Sequence, residues 1–270
     1  MKIILNNHDL SKTLGPFNDI GFVPTMGGIH EGHISLIKRS IKSNKKTIVS
    51  IFVNPKQFNN VKDFNSYPAN IKKDLTILKK IKKLDFVYIP AFKHVYENKK
   101  VSEIRIEKKY KVLCAKFRKG HFEGVLDVMN RLTKIVNPNK IFMGEKDFQQ
   151  LFLVKKNLEK KYKCKIISCK TIRDKKRLAL SSRNLLLTNK ELGYAQKIAE
   201  NLTFFKKRIK KKNIKDLLSK KKKELKKLYK IKIDYLELRS KKNLKISNSI
   251  KNSKIFIAYY INKVRLIDNF

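Results

Sequence analysis

Acidic residues are scarce in this 270-residue chain: 22 Asp and Glu face 66 Lys and Arg, a formal net charge of +44. Cysteine is scarcer still. Cys114, Cys164 and Cys169 are odd in number and lack both Cys-x-x-Cys and metal-ligand spacing, which argues against a disulfide framework or a zinc site. Three packing residues in a reducing compartment are expected. No apolar run approaches the roughly 20 residues that span a bilayer, and Met1-Lys2-Ile3-Ile4-Leu5-Asn6-Asn7 is too short in apolar residues for a secretory signal. A cytoplasmic protein with no membrane partner is expected. There is no Gly-x-x-x-x-Gly-Lys-Ser/Thr loop, so phosphate handling of the P-loop kind is excluded.

The cationic excess is almost all lysine, spread from Lys38 to Lys263 beside abundant Ile and Asn, a pattern that AT-rich coding produces. A basic nucleic-acid-binding protein is one reading of it; a solvated, lysine-rich exterior is the other. Stacking on bases calls for aromatic residues among the lysines, and Lys206 to Lys223 contains none. No nucleic-acid partner is expected. In either case the field attracts anionic substrates and is screened by salt.

With 41% hydrophobic residues the chain can bury a substantial core, and its length suits one large or two ordinary domains. Strand-like and helix-like segments alternate through the first two thirds. Ile20 to Val23 reads as a strand, Ile34 to Ile41 as a helix, and Thr47 to Val53 as a strand buried on both faces. Ile71, Leu75, Leu78 and Ile81 mark an amphipathic helix, and Phe86 to Ile89 a strand ended by Pro90. Val125 to Val136 gives a helix, Lys140 to Met143 a strand ending at Gly144, Phe148 to Leu158 a helix and Cys164 to Ser168 a strand. Such alternation predicts an α/β fold, a parallel sheet with helices on both faces, and ligands beyond the carboxyl ends of the strands. After about residue 188 the texture changes. Helices over Lys190 to Ile209 and Ile214 to Tyr229 precede strands near Asp234 to Leu238, Ile255 to Tyr260 and Lys263 to Ile267, a smaller α+β domain. Ile214, Leu217, Leu218, Leu225 and Leu228 are expected on one apolar face.

The richest segment is Phe22-Val23-Pro24-Thr25-Met26-Gly27-Gly28-Ile29-His30-Glu31-Gly32-His33. A glycine turn lets backbone approach a ligand closely, and a following helix N-terminus offers unpaired N–H groups and partial positive charge. His30 and His33, three apart, can direct both imidazoles at one anion, with Gly32 keeping the space between them open. Stabilisation of a phosphate as charge grows on leaving pyrophosphate is the chemistry this suits. Two histidines at a helix cap beside a packed turn is the alternative. A zinc protease is excluded, because that motif spaces its histidines four apart.

Pro-Thr-Met-Gly-x-x-His-x-Gly-His resembles the signature of the pantothenate synthetase family, within the His-x-Gly-His nucleotidyltransferases. Other segments agree in order and spacing: Val53-Asn54-Pro55-Lys56-Gln57-Phe58, Tyr67-Pro68, Phe117 to Val125, Gly144-Glu145-Lys146-Asp147-Phe148-Gln149-Gln150, Leu180-Ser181-Ser182-Arg183-Asn184, and Arg265-Leu266-Ile267-Asp268-Asn269. The likeness covers nearly the whole chain. It implies a Rossmann-like doubly wound domain over residues 1–173 that binds ATP and pantoate, and a smaller C-terminal lid domain over 174–270. The implied reaction is ATP plus pantoate to pantoyl adenylate and pyrophosphate, then attack by β-alanine to give pantothenate and AMP. A His-x-Gly-His nucleotidyltransferase with a different acceptor is the competing reading within the same group.

By that resemblance Gln57 and Gln150 hold pantoate, supported by Asn54 and Thr25; an amide both donates and accepts, as a hydroxylated acid requires. Seen alone, either glutamine reads as a surface or turn residue. His30, His33 and Lys146 form the catalytic set. Met26, Gly27, Gly144, Asp147, Leu180, Ser181, Ser182 and Arg183 complete the implied ATP site, with Asp147 toward the ribose and the Ser-Ser-Arg triplet closing on the phosphates from the domain junction. Without the motif, Lys146 reads as a surface lysine and the serine pair as a helix cap. His121 and Arg118 border the nucleotide or a dimer contact, with no proton-transfer role assigned. Mg2+ is implied with ATP, its ligands drawn largely from phosphates. Asp74 is a metal-ligand candidate, with an exposed helix carboxylate as the plainer reading. A homodimer is implied by resemblance alone. Gly28, Lys119, Phe148 and Leu180 stand where the family often has Ala, Pro, Tyr and Met.

Overall fold

A computed structural model describes residues 1–59, 61–97, 104–209 and 213–270. Residues 210–212, within the lysine-rich stretch noted above, lie outside them. In chain order the elements are β1 (Lys2–Ile4), α1 (Asn7–Leu14), β2 (Ile20–Thr25), α2 (Glu31–Ser43), β3 (Lys46–Ile51), α3 (Val61–Asn65), α4 (Ile71–Lys79), β4 (Phe86–Tyr88), α5 (Phe92–Tyr96), α6 (Cys114–Phe117), α7 (His121–Val136), β5 (Lys140–Gly144), α8 (Phe148–Lys161), β6 (Lys165–Cys169), α9 (Asn189–Arg208), α10 (Ile214–Tyr229), β7 (Lys232–Ser240), β8 (Ser253–Ile261) and β9 (Val264–Asn269). The chain divides into two compact units. One comprises residues 1–106, 118–145 and 150–170; the other comprises 107–117, 146–149 and 171–270.

The first unit holds a six-stranded sheet in the order β1-β4-β3-β2-β5-β6, every pairing parallel. From β2 the chain winds one way through β3 and β4, then resumes on the other side with β5 and β6, so the order reverses between β2 and β5. That is where doubly wound sheets bind ligands. The register opens the crevice there: β2 follows β3 through Thr25–Ile51, yet pairs with β5 only at Gly21–Lys140 and Phe22–Ile141. β3 is buried at five of six positions, as a Val/Ile-rich central parallel strand should be. One face packs Val23, Val49, Val87 and Phe142 against Leu36 and Ile37 of α2 and Leu78 of α4. Truncating a core residue such as Leu78 costs about 2–5 kcal/mol.

The second unit pairs β7-β8-β9 antiparallel, with α9 and α10 contributing Ala195, Ile198, Leu202, Leu218 and Leu225 to a common core with Ile255, Ile257 and Tyr259. The capping box Thr188/Glu191 opens α9. In α10, Ile214, Leu218 and Leu225 are buried as expected, but Leu228 is 60% exposed. It lies in the last turn of the helix, which ends at Tyr229.

Boundaries moved where short-range signals were weak. α2 begins at Glu31 because His30 serves as its cap, three residues before the expected start. β3 ends at Ile51 because Asn54 caps a 3-10 turn over Pro55–Gln57. β1 and α1 carried no periodic signal long enough to be expected. Cys114 and Cys164 are buried and all three cysteines are free thiols; burial raises the thiol pKa of Cys164 and Cys169. Among the described residues no helix is long and apolar enough to cross a membrane.

Candidate active site

The turn after β2 is built from its own backbone outward. The Thr25 hydroxyl donates to Ser50 O at 2.7 Å and accepts the Gly27 N–H at 3.2 Å, so its one proton is engaged in joining β2 to β3. Gly27 and Gly28 take φ of 80° and 63°, which favours glycine at both. The chain then meets Asp74. Its Oδ2 accepts the Gly28 N–H at 2.9 Å and its Oδ1 the Ile29 N–H at 2.8 Å. At 2% exposure Asp74 is a buried anchor, which corrects the expectation of an exposed helix carboxylate. A Cβ on Gly27 would sit 2.8 Å from Asp74 Oδ2.

Held this way, His30 caps α2 with an extended backbone, and its Nδ1 accepts the Gly32 N–H at 3.0 Å. Nε2 therefore carries the proton of the neutral ring and is the nitrogen able to donate. The His33 ring lies with its centroid 4.1 Å from that of His30, tilted by 33°. A Cβ at position 32 would stand 2.6 Å from His30 Cε1, so a larger residue there would displace the His30 ring. The cap reading and the anion reading are thus compatible, because capping engages only one ring nitrogen of His30.

Next along the sheet, Asn54 (1% exposed) is an organiser. Its Oδ1 accepts from Lys56 N at 3.2 Å and from the Tyr96 hydroxyl at 3.0 Å; its Nδ2 donates to Gly124 O at 3.3 Å and Gln57 Oε1 at 3.4 Å. Burial pushes the Tyr96 phenol far above its usual range, so it stays a donor. Gln57 is buried, and its amide N–H donates to Met26 Sδ. A thioether is a weak acceptor, one that a substrate oxygen readily replaces.

Behind Gln57, His121 Nδ1 meets Gln57 O at 2.6 Å and Arg118 Nη1 meets His121 Nε2 at 3.0 Å. A carbonyl only accepts and a guanidinium only donates, so His121 is the Nδ1–H tautomer between them. Arg118 also reaches Asn59 Oδ1 at 3.1 Å and Asp63 Oδ2 at 3.5 Å. Gly124 closes the set: a Cβ there would lie 2.2 Å from Lys56 O. Asp74, Gly124 and the His121 relay were missed as supporting groups, because each acts on backbone atoms that carry no residue signature.

In the second unit, Lys146 and Asp147 occupy the turn before α8, with Lys146 Nζ 3.5 Å from Asp147 Oδ1. Gln149 donates its amide to Tyr110 O at 3.1 Å and Val112 O at 2.7 Å; Gln150, half-buried, belongs to the first unit. Ser181 caps the turn Ser182–Leu186, its hydroxyl oxygen accepting Arg183 N at 3.3 Å, and an accepting hydroxyl still has its proton to donate. Leu180 N donates to Ile172 O at 3.0 Å, holding that segment in a backbone pairing the Leu-for-Met change leaves intact. Arg183 Nη1 donates to Arg265 O at 3.3 Å. Gly144 ends β5, with open space where a Cβ would be. Among the described residues no group of three or more His, Cys, Asp or Glu side chains could hold a metal ion.

The family model of pantoate-beta-alanine ligases matches residues 3–270. The chain belongs to the pantoate–β-alanine ligase family. As a member it is an ATP-dependent acid–amino-acid ligase. It is 41% identical over 258 residues to the pantothenate synthetase of Pseudothermotoga lettingae, covering 93% of this chain and 90% of that one. To the pantothenate synthetase of Flavobacterium psychrophilum it is 37% identical over 285 residues, covering 100% and 99%. Among solved structures, pantothenate synthetase from Thermus thermophilus superposes with a TM-score of 0.93 at 28% identity over 100% of this chain and 99% of that one. The ligase from Francisella tularensis, solved in complex with beta-gamma ATP and β-alanine, gives 0.85 at 37% identity over 100% and 97%. Such a ligase has to activate a carboxylate at the expense of ATP.

Proposed function

We propose that the chain condenses pantoate with β-alanine through a pantoyl-adenylate, releasing pyrophosphate and then AMP, with the residues above in distinct roles. The observation that carries this reading is the His30–His33 pair, with ring centroids 4.1 Å apart at the N-terminus of α2. Charge accumulates on the β- and γ-phosphates as the pantoate carboxylate attacks the α-phosphorus. A helix N-terminus and imidazole N–H donors stabilise it. Met26 and Gly27 line the approach to this end of the nucleotide.

Gln57 and Gln150 hold pantoate by its hydroxyl and carboxylate oxygens. Thr25 and Asn54, whose donors are engaged within the protein, act by shaping that pocket. Lys146 follows the triphosphate charge through the reaction as a mobile ammonium, exchanging its loose contact with Asp147 for phosphate oxygens; Asp147, 45% exposed at its side chain, turns to the ribose hydroxyls. Ser181, Ser182 and Arg183 supply two hydroxyls and a guanidinium fork to the same oxyanions, and the backbone at Gly144 and Leu180 borders the nucleotide. Magnesium enters as part of the ATP substrate, its ligands being phosphate oxygens and water. Both Asp74 oxygens already accept backbone N–H groups, which speaks against that carboxylate as its ligand. A homodimer working in the cytoplasm completes the reading.

The test is a two-stage assay. Protein given ATP, Mg2+ and pantoate should release pyrophosphate and retain a hydroxylamine-reactive adenylate; β-alanine added afterwards should yield AMP and pantothenate in equal amounts. AMP release that does not require β-alanine, or a product containing no β-alanine, would reject the proposal.

A further inference from the structure

The last strand meets Lys146 through its carbonyl oxygen and Arg183 through its guanidinium. Asn269, 3% exposed, donates from Nδ2 to the Lys146 carbonyl oxygen at 2.8 Å. Its Oδ1 accepts from Lys254 Nζ at 2.8 Å, which fixes the end of the amide that faces Lys146. The Asn269 backbone is pinned in turn: its N–H donates to Asp268 Oδ1 at 2.7 Å and its O accepts from Arg173 Nη2 at 2.8 Å. Arg173 grips Asp268 with two bonds of 2.7 and 2.8 Å. On the same strand, Arg265 O accepts Arg183 Nη1 at 3.3 Å. Residues 265 and 269 lie four apart on β9, roughly 13 Å at the usual strand rise. The single turn that carries Lys146 has too few repeating bonds to fix its own carbonyl.

We infer that Asn269 is a positioning residue for the adenylation step: its amide seats the backbone of Lys146 on β9, the strand that also receives Arg183, so that one rigid element sets where both cations start. This rests on the reading that Lys146 meets the phosphates of ATP. Small displacements of a charged group are costly in such a reaction, since about 1 Å of misplacement can lower a rate by about 10²-fold. A residue that merely stabilises the fold would lower the fraction of active protein and leave the constants per active site unchanged.

The experiment is a double-mutant cycle on pantoate-dependent pyrophosphate–ATP exchange, normalised to the concentration of competent sites, with Lys146→Ala, Asn269→Ala and the combined variant. Asn269→Asp is the second probe, because it keeps the side-chain volume and the oxygen facing Lys254 while removing the donor to Lys146 O. Either Asn269 variant should lower kcat/KM for ATP by about 10- to 100-fold with the KM for pantoate unchanged, and the combined variant should be no slower than Lys146→Ala. Losses that multiply in the combined variant, or ATP and pantoate constants that fall together, would overturn the inference. Impairment in Lys146→Ala with normal kinetics in both Asn269 variants would sink the inference alone. Wild-type exchange in Lys146→Ala would remove the underlying reading of Lys146 and the inference with it.

Discussion

Asp74 on α4 accepts the Gly28 backbone N–H at 2.9 Å across 46 residues of sequence, and the next N–H, from Ile29, at 2.8 Å. A buried carboxylate thus holds the two peptide groups immediately before His30. Replacing Asp74 with Asn leaves one oxygen to accept and turns an N–H donor against the other peptide. The expected cost is about 1–3 kcal/mol for the mismatched buried group, read by chemical denaturation, together with slower pantoate-dependent exchange. Unaltered stability and exchange would mean that the loop is held by something else.

Gly32→Ala tests the geometry of the histidine pair without removing either imidazole. The new Cβ would stand 2.6 Å from His30 Cε1 and must push that ring aside. Exchange should fall toward the level of His30→Ala or His33→Ala, about 10²–10³-fold, the scale of a lost oxyanion donor. Stability should hold or rise, because alanine is favoured over glycine in a helix by about 1 kcal/mol. A variant with full activity would return both histidines to capping and packing.

At Gly124 the same argument applies to the other substrate. A Cβ there meets Lys56 O at 2.2 Å and Gln57 Cα at 3.0 Å, so the turn bearing Gln57 must move. Gly124→Ala should raise the KM for pantoate well above any change in the KM for ATP, with overpacking costing about 1–3 kcal/mol in stability. Steady-state kinetics with each substrate varied in turn will show it; equal effects on both would contradict the assignment of Gln57.

Much of this was legible in the sequence, and the parts that were not share a cause. The β2 strand, the glycine turn and the His-x-Gly-His pair lie within 14 residues, where local spacing carries the geometry. The parallel sheet followed from β–α alternation. The hold of Asp74 on Gly28 and of Asn269 on Lys146 joins a side chain to a distant peptide group, and any residue but proline offers such a group. Gly124 stood just ahead of the expected helix with no role assigned, yet its missing Cβ is what lets α7 approach Lys56. β1, three residues long at the sheet edge with only Ile4 buried, is too short for periodicity to register.

Alkaline pH should weaken the fold. Tyr88 is pushed up from its ordinary value near 10 to about 12 by burial and then by Glu97; burial likewise raises Tyr96, Tyr162, Tyr229, Tyr235 and Tyr259. For an acid whose folded pKa is raised, the unfolded chain loses its proton first, so the contribution is intact below the unfolded value and is lost as pH climbs through the folded one. Stability should therefore fall between about pH 10 and 12, with Tyr88→Phe giving a shallower decline. Thermal midpoints against pH, with tyrosinate absorbance as the probe, will follow it; the chain has no tryptophan to interfere. A flat profile would contradict the burial argument.

The most direct measurement is exchange of labelled pyrophosphate into ATP by the folded protein with Mg2+ and pantoate and no β-alanine. Adenylation at the His30–His33 end of the sheet predicts exchange that requires pantoate, needs no β-alanine and is lost in His30→Ala. Folded protein that shows no pantoate-dependent exchange, or exchanges only once β-alanine is added, would contradict it.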